Sequence, residues 1–336
     1  MPDASAPTEE QPEDRTLGPA VSIDDIRAAA ARLAGVAHRT PVLRSHTLDE
    51  RVGGEVLLKA ENLQRIGAFK FRGAYNHVAA LSDDVRSRGV LTCSSGNHSQ
   101  AVALSARLHG TRAVVLMPED APAAKVAATA GYGAEILRFN RYTQDREEIT
   151  AETAERLGLH VVHAYDDPFV IAGQGTTALE LIEDAGSLDV LVVCLGGGGL
   201  LAGCSVAARA LSPTCRIVGV EPMDRPAGRR AVAAGEPVTV PVTPTIADGQ
   251  QSAQIGRRNC ALISRHVDEI VGVTDEEIIV AMRMLFERLK VVVEPSGGSA
   301  LAAILAGRIE VSGQRVGVTL SGGNIDAEQF SQLMGS

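Results

Sequence analysis

Short apolar runs alternate with helical stretches along most of this chain, and that rhythm constrains the fold more than any other feature. The runs are Glu55–Lys59, Val90–Thr92, Ala113–Met117, Glu135–Phe139, His160–His163, Val190–Leu195, Arg216–Val220 and Val316–Leu320. Most are rich in Val, Leu and Ile rather than alternating apolar with polar residues, as expected of parallel strands buried on both faces. Helical segments such as Asn97–Leu108 and Leu200–Leu211 lie between them. The β-α-β order predicts an α/β protein with open, mostly parallel twisted sheets and flanking helices. Two capping boxes mark helix starts. Ser22 with Asp25 precedes the face Ile23, Ile26, Ala30, Leu33 and Ala34, and Thr274 with Glu277 opens a helix to about Lys290. Residues 1–20, rich in Pro, Ser, Glu and Asp without an apolar period, are expected to form a disordered tail. No linker divides the rest, so a second domain is expected as an insertion. The expected division is a large domain of 21–88 with 166–336 and a small domain of 89–165.

Composition removes several function classes. Acidic side chains number 41 against 32 basic ones, and the net charge is −9. Such a chain has no basic stripe for nucleic-acid phosphates. Aromatic residues are 3% and Trp is absent, so base-stacking platforms are not expected. No stretch approaches about 18 uninterrupted apolar residues, so no membrane span is expected. The opening MPDASAPTEEQPEDR lacks the basic and apolar regions of a signal peptide. Five cysteines without a C-x-x-C pair argue against a disulfide framework or a zinc ribbon, and for buried thiols in a reducing cytoplasm.

Three glycine-bearing turns follow strands. After Leu195 come Gly196, Gly197, Gly198 and Gly199, then the helical Leu200. Consecutive glycines let the backbone approach a ligand closely, and their N–H groups with the following helix N-terminus form a cradle for phosphate. A merely tight strand-to-helix turn is the alternative. A dinucleotide fingerprint is another, since Gly197, Gly199 and Ala202 fit G-x-G-x-x-A and Glu221 ends the next strand. Ser94, Ser95, Gly96, Asn97 and His98 form a second turn at a helix N-terminus, suited to a small carboxylate or a phenolate oxygen, or serving only as an N-cap. Ser321-Gly322-Gly323-Asn324 is the third. Turns at the C-terminal ends of parallel strands converge on one crevice, where open α/β sheets bind ligands.

Lys70 lies in the segment Glu61–Ala74 between Phe69 and Phe71. A solvated cation is the ordinary reading of a lysine. A desolvated lysine has a lowered pKa and forms Schiff bases.

The lysine segment Glu61–Ala74, the Ser94–His98 turn, the tetraglycine loop and the Ser321–Asn324 turn occur in the order found in the pyridoxal-phosphate enzymes of the tryptophan-synthase-β fold, fold type II. The chain resembles the serine/threonine dehydratase and serine racemase branch from about Val21 to its end. The resemblance implies that Lys70 binds the cofactor as a Schiff base. Gly196–Gly199 and Leu200 would bind its phosphate, Asn97 its ring hydroxyl and Ser321 its ring nitrogen, with Phe69 beside the ring. The turn Ser94, Ser95, Gly96, Asn97 and His98 would hold the substrate carboxylate. The freed Lys70 amine would remove the Cα proton before a β-hydroxyl leaves.

The implied activity is elimination from L-threonine or L-serine to a 2-oxo acid and ammonia, in a homodimer. Hydroxyaspartate dehydration and amino-acid racemisation are the alternatives, with Ser95 as the proton donor of a racemase. A dinucleotide-binding oxidoreductase is more remote, because it needs neither Lys70 nor the Ser321 turn. Arg146 resembles a position that meets carboxylates, although an exposed helical arginine beside Glu147 and Glu148 fits equally. Family members with a divalent cation carry an acid after the strand-end Glu, but Ala227 stands six residues beyond Glu221. Pairing of Arg225 with Glu221 is expected instead, with no metal. The last motif ends at Asn324, so no C-terminal regulatory domain is expected.

Overall fold

The computed structural model describes residues 20–121 and 123–335. The expected N-terminal tail lies outside the described residues, except for residue 20. Among the described residues ten strands form two sheets. They are β1 Val42–Leu43, β2 Glu55–Ala60, β3 Val90–Cys93, β4 Ala113–Pro118, β5 Glu135–Phe139, β6 His160–Val161, β7 Val190–Cys194, β8 Arg216–Pro222, β9 Glu269–Val273 and β10 Arg315–Leu320. One sheet has the order β1-β2-β10-β7-β8-β9 and is parallel except for β1. The other has the order β5-β4-β3-β6 and is parallel throughout.

All eight expected strands are present. β1 and β9 are additional: β1 is two residues long, and β9 is an edge strand whose first residue is exposed and whose next two are only partly covered. β6 is shorter than expected because pairing stops after Val161, although the Val162 N–H still donates to the Leu91 carbonyl at 2.8 Å. Both capping boxes form, with Ser22 on Asp25 and Thr274 on Glu277. The second helix spans Asp275–Met284, continues as a π turn over Leu285–Leu289 and ends at Lys290, whose φ is 61°. All five cysteines are buried free thiols, and no described helix is long and apolar enough to cross a membrane.

The strand order positions the site. β10, the last strand in the chain, pairs on one side with β2 and on the other with β7. Parallel neighbours send their following loops to the same sheet edge. The Ser321 turn therefore emerges between the segment that follows β2 and the tetraglycine loop that follows β7. A buried ionic cluster anchors that first segment. Arg72 donates to both oxygens of Glu61 (2.7 and 2.8 Å) and both oxygens of Glu180 (2.7 Å each), while Lys59 donates to Glu180 at 2.7 Å.

Candidate active site

After β2 the chain makes two short 3-10 turns, Glu61–Leu63 and Arg65–Gly67, and a helix begins at Lys70 itself. The Lys70 Nζ donates to the Ala164 carbonyl at 2.7 Å and lies 5.2 Å from the centroid of the Phe69 ring. No described carboxylate pairs with it. Lys70 keeps partial exposure although its amine lies deep among protein atoms, the arrangement of a group on the floor of a cleft. Burial lowers the amine pKa to about 8; the nearby Cys194 thiol opposes that shift and Arg146 adds to it. An amine held in this way is a nucleophile near neutral pH.

The helix Gly199–Leu211 starts from Gly198, whose φ of 100° is a conformation that side-chain-bearing residues rarely adopt. A Cβ at Gly198 would also sit 2.7 Å from the Asn259 Cβ, and one at Gly197 would collide with the Tyr165 ring. The Gly197 carbonyl is tied down by Asn259 Nδ2 at 2.8 Å and by the Gly256 N–H at 3.0 Å. By contrast, no described group accepts from the N–H groups of Gly196 to Leu200. Unengaged N–H groups at the start of a thirteen-residue helix are the kind of donor set that suits an anion such as a phosphate.

The Ser321 turn is zipped to the lysine segment. Phe69 N–H donates to the Ser321 carbonyl at 3.0 Å, Ala68 forms a bridge with Gly322, and Gly323 N–H donates to the Gly67 carbonyl at 2.9 Å. Ser321 is buried, with Oγ 3.3 Å from the Ser296 carbonyl and beside the Cys194 thiol. Asn324 reaches further, donating from Nδ2 to the Ile66 carbonyl and to Asn97 Oδ1, each at 2.7 Å.

The helix Asn97–Leu108 begins on the Ser94–His98 turn. Ser94 Oγ accepts from the Gly96 N–H at 3.3 Å, and no described group holds the partly exposed Ser95 hydroxyl. The His98 side chain is buried and braced at 3.1 Å on the Val162 carbonyl. Burial first, then the Lys70 charge, pushes its pKa down to about 3, so the imidazole is neutral. Nε2 therefore carries the proton given to Val162, and only the backbone of His98 belongs to the helix N-terminus. Arg146, first residue of the helix Arg146–Leu157, donates from Nη2 to the Cys93 carbonyl at 2.6 Å. Its charge is felt by Lys70, His98 and Tyr165, so this exposed arginine reaches the site.

Two features differ from the sequence reading. The expected Arg225–Glu221 pair does not form. Glu221 accepts from Arg229 Nε at 2.9 Å and from the Gly228 N–H at 2.8 Å, because the helix Ala227–Ala234 starts facing the strand end and its first turn folds Arg229 back. Arg225 donates instead to the Thr243 carbonyl at 2.7 Å. A carboxylate so engaged is also not free for a ribose, which removes support from the dinucleotide reading. No described cluster of His, Cys, Asp or Glu is arranged for a metal ion. Second, Tyr165 and Glu294 enter the site without having been singled out. The signal for Glu294 was a lone acid between the run Val291–Val293 and Pro295-Ser296-Gly297-Gly298.

Comparison with known proteins agrees with this geometry. The family described as "Pyridoxal-phosphate dependent enzyme" matches residues 33–322. The L-threo-3-hydroxyaspartate ammonia-lyase of Saccharomyces cerevisiae is 50% identical over 92% of this chain and 95% of its own length. The serine racemase of Schizosaccharomyces pombe is 46% identical over 93% and 96%. The solved structure of maize serine racemase superposes with a TM-score of 0.89 at 40% identity, covering 94% of this chain and 97% of its own. The chain therefore belongs to the pyridoxal-phosphate-dependent enzymes of fold type II, in the group that holds the threonine dehydratases, hydroxyaspartate ammonia-lyases and serine racemases.

Proposed function

We propose that this enzyme eliminates the β-hydroxyl of a β-hydroxy amino acid as water, that a water then hydrolyses the resulting enamine to a 2-oxo acid and ammonia, and that its preferred substrate carries a second carboxylate, as 3-hydroxyaspartate does. The observation that carries the elimination is the Lys70 amine, deep and without a carboxylate partner where the three turns meet. The acidic substrate is supported by Arg146, whose charge reaches Lys70 and His98, and by the likeness to a hydroxyaspartate ammonia-lyase.

The residues present fit the cofactor. Lys70 supplies the amine for its aldehyde, the free N–H groups of Gly196 to Leu200 suit its phosphate, and Phe69, Asn97 and Ser321 surround the space for its ring. When bound, the cofactor supplies an electron sink that acidifies the substrate Cα proton. Lys70 Nζ takes that proton, and its lowered pKa keeps a usable fraction of neutral amine near pH 7. The Ser94–His98 helix N-terminus holds the α-carboxylate through backbone N–H groups. The Ser321 hydroxyl would face the ring nitrogen as a neutral partner, which would not enforce ring protonation. The Tyr165 ring lies against Gly197 beside this loop.

Racemisation is the second reading. The Ser95 hydroxyl, which no described group holds, would be the proton donor of a racemase. We propose further that the chain comprises a large unit of 21–88 and 166–336 and a small unit of 89–165 carrying Arg146, and that it works as a homodimer in the cytoplasm. A substrate panel tests the reading by measuring 2-oxo acid and chiral products together. L-threo-3-hydroxyaspartate should give 2-oxo acid faster than L-threonine or L-serine. A D-amino-acid yield above the 2-oxo acid yield overturns the elimination in favour of racemisation.

A further inference from the structure

Glu294 occupies an unusual position. It is the N-cap residue of the helix Pro295–Leu305, yet its side chain does not cap that helix. Its backbone does the local work: the Glu294 N–H donates to the Gly322 carbonyl, and its own carbonyl accepts from Gly297 and Gly298. The carboxyl turns inward, where Oε1 accepts from Asn97 Nδ2 at 2.7 Å. A Cβ at Gly322 would collide with Oε1, so the carboxyl lies pressed against the third turn. Asn97 is thereby held at both ends of its amide, by Glu294 at Nδ2 and by Asn324 at Oδ1. One Nδ2 proton remains for a ligand.

We propose that Glu294 is a positioning residue whose carboxyl aims the Asn97 amide at the ring oxygen of the cofactor. The proposal rests on the reading of Asn97 given above. No described cation forms an ion pair with the Glu294 carboxyl. Asp248, from the 3-10 turn Asp248–Gln250, is a like charge. Lys125, on the helix Ala123–Gly131, is taken up by Asp248. Cys194, at the end of β7, is a buried thiol. Burial first, then Asp248, raises the Glu294 carboxyl to about 8, against the hydrogen bond from Asn97 and the charge of Lys125. Ionisation would place a negative charge beside a phenolate-like ring oxygen, which the same local geometry brings close.

The test uses the holoenzyme and two variants, reading cofactor absorption against pH and cofactor affinity beside kcat. Glu294→Gln keeps an uncharged acceptor for Asn97. It should hold cofactor like the wild type, and the absorption change and kcat loss of the wild type near pH 8 should vanish. Glu294→Ala releases Asn97 and should weaken cofactor about tenfold, the loss of one buried hydrogen bond. Equal behaviour of the two variants, or an alkaline transition that persists in Glu294→Gln, overturns the proposal. Asn97→Ala separates the two levels. If it leaves cofactor absorption unchanged, the reading of Asn97 fails; if it alters absorption while both Glu294 variants match wild type, only the role of Glu294 fails.

Discussion

Arg72 holds both carboxylate oxygens of Glu61, at 2.7 and 2.8 Å, and so closes the segment that carries Lys70. Both side chains are fully buried, and the same guanidinium also holds both oxygens of Glu180. A planar fork suits these paired contacts in a way an ammonium does not.

Arg72→Met should therefore destabilise the protein by about 3–5 kcal/mol, because it leaves buried carboxylates without their partner. Arg72→Lys should recover only part of that loss. Denaturant unfolding of the cofactor-free protein reads both. A change within about 0.5 kcal/mol, the range of an ordinary surface substitution, contradicts this account of the cluster.

Lys70→Ala should purify without visible cofactor absorption and without a borohydride-reducible linkage. In wild-type protein stripped of cofactor, the rate of cofactor uptake should rise as pH increases through about 8, where the amine loses its proton. The folded value lies below the ordinary 10.5, so the unfolded chain binds the extra proton between these limits. The stripped protein should accordingly gain stability from this group as pH rises from about 8 towards 10.5, and carry its full penalty below that window. A flat uptake profile across it counts against Lys70 as the reacting amine.

Gly198→Ala should lower cofactor affinity more than tenfold. Its φ of 100° strains any side chain by about 1–3 kcal/mol, and the new methyl meets Asn259 at the cradle. Gly235→Ala is the control: its φ is 75°, but no atom lies within 4 Å of the added Cβ. Titration of cofactor into each stripped variant makes the comparison. Equal affinities would show that the tetraglycine loop is not the phosphate site.

His77, on the helix Lys70–Ala80, joins that helix to Asp167, the N-cap of the helix Pro168–Ala185, and to β6. Nδ1 meets Asp167 at 2.8 Å, and Nε2 lies 2.9 Å from Nε2 of His160 on β6. Only one proton fits between the two imidazoles. Burial first, then His77, lowers the His160 pKa below 6.5, with Asp167 opposing and Arg88 and His163 adding. The stability tied to neutral His160 is present above pH 6.5 and is lost as pH falls below it. His160→Gln should reduce the fall in Tm between about pH 7.5 and pH 5.5, since the variant has no second imidazole to protonate. An unchanged fall places the acid sensitivity elsewhere.

Strands, capping boxes, the glycine turns and the lysine were legible in the chain because each is local. Apolar runs mark buried strands, Ser22 and Thr274 cap the helices beside them, and Gly198 sits where the backbone requires a positive φ. Pairing across the chain was not legible, because it depends on strand order and packing rather than on any local preference. Insertion of β10 between β2 and β7 sets Ser321 against Phe69. The same packing joins Asn97 to Glu294, 197 residues apart, and selects Arg229 rather than Arg225 for Glu221. Local sequence thus specified eight of the ten described strands and named candidate side chains for the chemistry. The tertiary structure decided which of those side chains meet, because a buried carboxyl or amide takes whichever partner the packed elements bring within hydrogen-bond reach.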